Sequence, residues 1–383
     1  MSKPQLELAD VVRRFMGSYK EQFGDLMLPS HRRALQDIAQ CMTEAMGGER
    51  YHCNDCNEAF WIYYGCRNRS CPKCHGRQIS EWLKSRSAEV LPCRYFHVIA
   101  TIPSELRSLF LRHQKTLYGL LMKTAAESVR DLAAEKRFVG AQVGILAVLH
   151  TWTGQLHHHP HVHMLVTGGG VTADGTAWYD APKNFLVPVR KLSRMIAKRF
   201  AEALQKGHPE LFEQIPDKLW RREWCSYSKP YGKGQEAVLN YLARYVFRVA
   251  LTNRRLMAMD ETHVTLRYKD HDTGQWRTVR IEGVQFLRRF LFHVLPKGFH
   301  KVRYYGLWHP CKRDRQARAR LLLELTTTPA THSVAILMAD IADEALGQSD
   351  LASQDHAVKC PKCGSMNVCR IDTLRRRNPM LVK

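Results

Sequence analysis

Five histidines fall within seven positions of the run His157-His158-His159-Pro160-His161-Val162-His163, which continues into Met164-Leu165-Val166. Imidazole nitrogens are ligands for divalent transition ions. Side chains alternate across a strand, so His161 and His163 share one face, and Val162 and Met164 share the other. His159 joins the face of His161 and His163 if the strand begins early enough, and Pro160 weighs against that. Two imidazoles on one strand face are half of a metal site. A polar turn with solvated rings would have the same composition, so the rest of the chain must decide. Downstream, Tyr241 and Tyr245 stand four apart in a stretch of helical periodicity, residues 235–250, and lie on one face a turn apart. Arg244 and Arg248 form a second pair of the same spacing. Tyr245 also falls in the apolar stripe Val238, Leu242, Val249, which suits a core side chain equally well.

Twelve cysteines supply the second kind of chemistry. Cys53-Asn54-Asp55-Cys56 and Cys71-Pro72-Lys73-Cys74 are two Cys-x2-Cys knuckles, able to place four thiolates around one zinc. Cys66, His52 and His75 are alternates. Between the knuckles lie Trp61, Tyr63, Tyr64, Arg67 and Arg69, aromatic and basic side chains that suit DNA through stacking and phosphate contact. The same aromatics could simply pack a small module. Near the end of the chain, Cys360-Pro361-Lys362-Cys363 is half of a zinc ribbon, a candidate second zinc site that His356 could complete. Arg375-Arg376-Arg377 follow.

The composition agrees with a nucleic-acid partner. The chain has 383 residues, and 58 Lys+Arg against 36 Asp+Glu give a net charge of +22. Such a surface favours a polyanion. Length allows a full core and two or three domains. No apolar run approaches the roughly 18 residues of a membrane span, and the first residues lack the apolar core of a signal peptide. A reducing, intracellular setting is expected, in which cysteines are metal ligands or free thiols rather than disulfides. The Gly-rich loop Pro230–Gly234 lacks the Walker signature, so no nucleotide cofactor is expected.

The elements that must position these residues follow from periodicity. Residues 6–46 carry two helices, with Leu8, Val11, Val12 and Phe15, then Leu35, Ile38, Ala39 and Met42, at helical spacing. A helix is expected over Ser80–Leu91, a buried strand over Tyr95–Pro103 and a long helix over Leu106–Arg137. A strand over Gly144–Trp152 turns back into the histidine strand as a hairpin. Further helices are expected over 192–207 and Glu282–Leu295 and in the basic stretch 311–326. A hairpin joins His263–Tyr268 to Trp276–Ile281, and residues 346–357 form a polar linker.

Taken together, these segments resemble a known family: the zinc-binding, two-tyrosine transposases of rolling-circle insertion sequences, in the HUH endonuclease superfamily. The resemblance spans most of the chain. It rests on Cys66-Arg67-Asn68-Arg69-Ser70-Cys71-Pro72-Lys73-Cys74, Tyr95-Phe96-His97-Val98, Pro103 with Glu105 and Leu106, His159-Pro160-His161-Val162-His163, Tyr241-Leu242-Ala243-Arg244-Tyr245 and Leu295-Pro296-Lys297-Gly298-Phe299. Ser70 departs from the family's usual histidine at that place. The resemblance implies an α+β fold with a central antiparallel sheet flanked by helices and an N-terminal zinc-binding module. It implies that His161 and His163, with His159 ranked ahead of Gln235 and Glu236 as third ligand, hold Mg2+ or Mn2+ at a scissile phosphate of single-stranded DNA. Tyr241 and Tyr245 would attack phosphorus in turn, each forming a 5′-phosphotyrosine and releasing a 3′-hydroxyl. Which attacks first is not legible, and Arg67, Arg69, Arg244 and Arg248 are expected on DNA.

The expected organisation is a helical region over 1–48, a zinc-binding DNA-binding module over 49–90, the nuclease core over 91–310 and a basic C-terminal region over 311–383. A cytoplasmic, nucleoid-associated bacterial protein follows from the resemblance. Two competitors stand beside this reading. One is a non-catalytic zinc-dependent DNA-binding protein, for which the knuckles and charge suffice. The other is a hydrolytic metal nuclease, against which counts the lack of acidic residues near the histidines.

Overall fold

The structure, a computed structural model, describes residues 5–74, 90–246, 248–270, 273–325 and 358–376. Two helices open it, as the periodicity predicts. Helix α1 (Leu8–Phe23) starts on a capping box between Glu7 and Asp10, and α2 (Pro29–Ala39) starts with proline at its first position. The α1 stripe Leu8, Val11, Val12, Phe15, Tyr19 is buried. The zinc-knuckle region that follows contains a hairpin, β1 (Gly48–Cys53) and β2 (Ala59–Tyr63), which periodicity did not reveal.

The centre of the molecule is a five-stranded antiparallel sheet of β3 (Arg94–Thr101), β4 (Gly144–Trp152), β5 (His158–Thr167), β8 (Ser226–Lys233) and β12 (Val302–Gly306), in the order β12-β4-β5-β3-β8. The predicted hairpin of β4 and β5 is present, and the histidine strand β5 is the middle strand. Both of its edges are paired, and from Val162 onward its residues are buried by the packing on the two faces of the sheet. Val162, Met164 and Val166 face one core with Ile145, Ala147 and Leu149 of β4 and Phe96 and Val98 of β3. That face is covered by α3 (Gln114–Ala134) and α4 (Val189–Gly207), whose Leu117, Leu121, Ile196 and Phe200 join the same core. Leu165 faces the opposite side with Leu146, Val148 and Tyr95. There it meets α5 (Gly234–Tyr241), through Val238 and Tyr241, and α7 (Arg313–Glu324), through Ala319 and Leu323. Helices therefore cover both faces of the sheet, and the histidine face is the one beneath the tyrosines.

Several expectations change in detail. The helix foreseen over 106–137 breaks at His113, whose backbone (φ −119°, ψ 44°) leaves the helical region, giving Arg107–Arg112 and α3. The Pro230 loop is the edge strand β8. A register shift opposite Tyr95 and Phe96 accommodates proline there, since an edge or bulge position lacks a ladder partner for the missing N–H. A small two-stranded sheet pairs β6 (Gly169–Val171) with β7 (Trp178–Asp180). The hairpin foreseen around residue 273 is present as β10 (His263–Lys269) and β11 (Trp276–Glu282), joined by β9 (Leu256–Met259). The helix expected over 80–91 falls almost wholly outside the described residues, and the 346–357 linker does so entirely. The final strand β13 (Val368–Leu374) returns to pair with β1.

The N-terminal region and the core meet in one apolar cluster. Helix α6 (Gly283–Leu291) packs Phe286, Leu287 and Phe290 against α1. Gly283 sits so close to Phe15 that a Cβ there would lie 2.3 Å from the ring. Beside this contact, the Arg69 guanidinium donates to three backbone carbonyls, those of Leu295 (2.7 Å), Pro296 (2.8 Å) and Phe299 (2.6 Å). These oxygens lie in the non-helical segment that follows α6. Arg69 is thus a structural clamp and is not presented to a phosphate, contrary to expectation. Removing it takes the side-chain donor from three carbonyls at once, of which only that of Pro296 keeps a backbone partner, the Phe299 N–H at 3.1 Å. Arg69→Ala is expected to lower unfolding stability by about 2–4 kcal/mol in urea titration. Arg69→Lys should recover only part, because an ammonium cannot reproduce the planar fork.

Candidate active site

The histidine face gathers three imidazoles. His150, His161 and His163 each offer a ring nitrogen, and those nitrogens lie within 4.8 Å of one another. His161 and His163 were expected; His150 was not. It lies directly opposite His161 in the β4–β5 ladder, just before a register irregularity between His150 and Trp152. Bulges of this kind re-aim side chains beside functional sites. His159 is not in the group. Its Nδ1 accepts from the Arg107 guanidinium at 2.8 Å, which places a fixed positive charge on the nitrogen a cation would need.

Each of the three rings has its other nitrogen occupied. A carbonyl can only accept, so His150 Nε2–H donates to the Tyr245 backbone oxygen at 2.6 Å, leaving Nδ1 free. His161 Nδ1–H donates to the His159 oxygen at 2.7 Å, leaving Nε2 free. His163 Nδ1 and His97 Nε2 share a proton across 2.9 Å, and the two rings stack at 5.1 Å. Orienting a ligand imidazole through its second nitrogen is how metal sites fix tautomer and direction. Burial is the main cause that holds His161 down to about 4 and His150 and His163 well below the ordinary 6.5, with the neighbouring imidazoles and Arg248 adding to it. The rings are therefore neutral and ready as ligands at neutral pH. The donor set fits a divalent transition ion. Among the described residues no carboxylate joins it.

The tyrosines sit over this face. Helix α5 passes at Leu242 into a π-helical turn that ends at Val246, a distortion frequent at functional sites. The Tyr245 carbonyl lies near the end of the helix and is held by the His150 ring. The Tyr245 ring packs 4.2 Å from that of His163 and 4.7 Å from His97. Tyr241 lies behind, 4.8 Å from Tyr245 and edge-on to His97 and Tyr231. It is fully buried, its hydroxyl has no hydrogen-bond partner, and burial raises its pKa well above 10. Tyr245 is thus neither plain core nor plain surface. Arg248 is exposed and near enough to depress the histidines. Lys301 reaches the Arg248 carbonyl at 3.3 Å, and burial pushes its pKa down to about 8. A cationic rim suits a phosphate. The side chains of Arg244, Gln235 and Glu236 lie outside the described part.

The cysteines regroup. The expected quartet Cys53, Cys56, Cys71 and Cys74 is split between two clusters. One is Cys41, Cys66, Cys71 and Cys74, with sulfur separations of 3.4 Å (41–74), 3.6 Å (41–71) and 3.6 Å (66–74). The other is Cys53, Cys56, Cys360 and Cys363. Tetrahedral zinc with bonds of about 2.3 Å sets its sulfurs about 3.8 Å apart, so the first cluster fits zinc. The split has a simple cause: β1 and β2 carry the first knuckle away from the second, and the end of α2 delivers Cys41 in its place. Cys41 stands alone in the sequence, so no spacing signals it. Arg67 is exposed, in the left-handed region (φ 55°), with its N–H on Cys74 Sγ at 3.3 Å.

Comparison with known proteins gives this geometry its context. A model of a transposase zinc-binding domain matches residues 11–102, and the "Putative transposase" model matches residues 144–316. The chain is 35% identical to "Putative transposase y4qJ" of Sinorhizobium fredii, over 95% of this chain and 94% of that one. It is 28% identical to "Transposase for insertion sequence element IS801" of Pseudomonas savastanoi pv. phaseolicola, over 70% and 67%. The chain belongs to the IS91/IS801-type transposases, the rolling-circle family. No solved structure matches it. DNA is therefore the substrate of this transposase, and zinc belongs in its N-terminal module, where the Cys41 cluster lies within the matched domain. The family models enclose both β4–β5 and the tyrosine helix in one matched segment. No helix of the described residues is long and apolar enough to cross a membrane.

Two outcomes check the geometry of the site. His150→Ala is expected to weaken Mn2+ binding by calorimetry at least about 10-fold, as His161→Ala does, while His159→Ala leaves it near wild type. The second concerns acid. Burial lowers His31 and His158 to about 4 and His293 to about 3. Unfolded, these rings take up protons near 6.5; folded, they do so only near 4 or, for His293, near 3, so the unfolded state binds more protons in between. Stability should fall as pH drops from about 6.5 towards 4, read as a decreasing urea midpoint.

Proposed function

We propose that this transposase nicks and rejoins single-stranded DNA through a covalent 5′-phosphotyrosine, with Tyr245 as the first nucleophile. One observation carries the reading: the Tyr245 ring lies 4.2 Å from His163 while its own backbone oxygen is held by His150. The nucleophile and the three imidazoles are thereby parts of one rigid unit, which supplies the orientation a displacement at phosphorus needs. A divalent ion on His150, His161 and His163 would polarise the scissile phosphate and offset charge developing on its oxygens. An all-imidazole set favours Mn2+ over Mg2+, which prefers oxygen ligands.

In the step itself, the Tyr245 oxygen loses its proton and attacks phosphorus. The bond from phosphorus to the 3′ oxygen breaks, and that oxygen leaves as a 3′-hydroxyl. The phosphodiester bond energy is kept in the tyrosyl ester, so rejoining to a second 3′-hydroxyl needs no nucleotide. Tyr241, buried and firmly protonated, waits in reserve. It becomes a nucleophile only when the helix shifts enough to admit water or DNA beside it. A second tyrosine lets the enzyme hold a new end before releasing the first. Arg248, and Arg67 on the zinc module, contact the phosphate backbone.

The test is covalent capture of a labelled single-stranded element end in Mn2+. Wild type should yield a protein–DNA adduct that resists denaturant. Tyr245→Phe should lower the first-cleavage adduct by about 10³-fold or more, as expected when the nucleophile is removed. Tyr241→Phe should keep that adduct and lose strand joining. A 5′-phosphate product without adduct would instead mean hydrolysis by water, and binding without any cleavage would mean a DNA-binding protein only.

A further inference from the structure

We infer that the transposase has a second zinc site, built from both ends of the chain: Cys53 and Cys56 from the N-terminal module, and Cys360 and Cys363 from the C-terminal segment. The four sulfurs lie within 4.8 Å of one another, with Cys53–Cys363 at 3.6 Å and Cys56–Cys360 at 3.5 Å. These separations lie close to the roughly 3.8 Å of a tetrahedral zinc tetrathiolate. They are far from the roughly 2.05 Å of a disulfide, and all four cysteines are free.

The two knuckles are built alike, which an accidental meeting of thiols would not require. In each, the first cysteine's N–H donates to the carbonyl five residues on: Cys53 to Glu58 at 2.9 Å, Cys360 to Ser365 at 2.8 Å. In each, its own carbonyl accepts from the residue four on: Asn57 at 3.0 Å, Gly364 at 2.9 Å. That fourth residue is left-handed in both, φ 59° at Asn57 and φ 75° at Gly364. Asparagine and glycine are the residues that adopt this conformation at least cost. Two such turns facing one another present four sulfurs to a common point.

The surroundings hold the halves in register. Strand β13 pairs with β1 from Gly48↔Leu374 to Cys53↔Val368. Asn54 donates to Asn367 Oδ1 at 3.0 Å, Asp55 accepts from Asn367 at 2.7 Å and from Ser365, and Lys362 meets Glu58 at 3.2 Å. The closest sulfur pairs join residues 304 and 310 positions apart. A metal clip gains most when it closes a long loop, so this site would fasten the C-terminal segment to the zinc module. It cannot form until the last part of the chain has been made. The inference does not depend on which tyrosine attacks, or on whether the protein cleaves DNA.

The test uses the full-length protein loaded with Co2+ as a spectroscopic stand-in for zinc. Wild type should take up two equivalents with the absorption of tetrahedral tetrathiolate cobalt, and Cys360→Ser/Cys363→Ser should take up one. If the double variant does not fold, thiol alkylation of zinc-loaded wild type followed by mass spectrometry decides instead. Cys360 and Cys363 should be protected until a chelator is added, whereas the exposed Cys225 reacts at once. A single tetrathiolate equivalent in wild type, two equivalents retained in the double variant, or alkylation of Cys363 as fast as Cys225, would each overturn the second site.

Discussion

Burying imidazole rings is costly unless each ring nitrogen finds a use, and the architecture is arranged around that constraint. On the middle strand β5, His163 is buried and His161 half-buried beneath the tyrosine helix, so little solvent reaches their rings. The molecule answers with partners for one nitrogen on each ring, from the Tyr245 and His159 carbonyls and the His97 ring. What remains is a set of neutral nitrogens facing one another beneath the tyrosine helix. The same burial that keeps them neutral would make a bound cation's field strong, because little water lies near to screen it.

The hydrogen bond between His150 and Tyr245 joins the two halves of the site. One side chain occupies a helix-terminal carbonyl and, at its other nitrogen, completes the trio of imidazoles. The helical irregularity at Leu242–Val246 and the register irregularity at His150–Trp152 meet across this bond. Local departures from ideal geometry are thus concentrated where Tyr245 and the imidazoles approach. Tyr241 is only one turn away but belongs to the packed interior, so two residues of one type and matching spacing differ sharply in surroundings.

The zinc module is fixed to this core by two unlike devices. The apolar contact of α1 with α6 supplies area, and Arg69 supplies direction by gathering three carbonyls from the segment Leu295–Phe299. The segments that carry the family resemblance therefore include a structural joint as well as reactive groups. An arginine between two zinc knuckles invites a DNA-binding reading. Its partners, more than two hundred residues away, are invisible to spacing.

Much of the fold was legible because local rules govern it. Alternation placed His161 and His163 on one face, helical spacing located α1, α2 and α4, and turn chemistry located the β10–β11 hairpin. The short strands β1, β2 and β13 escaped because their apolar alternation is weak and because β13 pairs with β1 from the far end of the sequence. His150 was within reach: a lone histidine in an apolar strand already expected to pair with the histidine strand. Cys41 carried no signal at all. By itself, then, the sequence determined the kinds of chemistry available, namely imidazoles, phenols and thiols on a basic chain, since residue identity and short-range periodicity decide those. Tertiary structure alone decided the groupings: which histidine is third, which cysteines share a cluster and which tyrosine lies nearest the imidazoles. Those depend on strand register and on contacts between residues hundreds of positions apart, and no local rule encodes them.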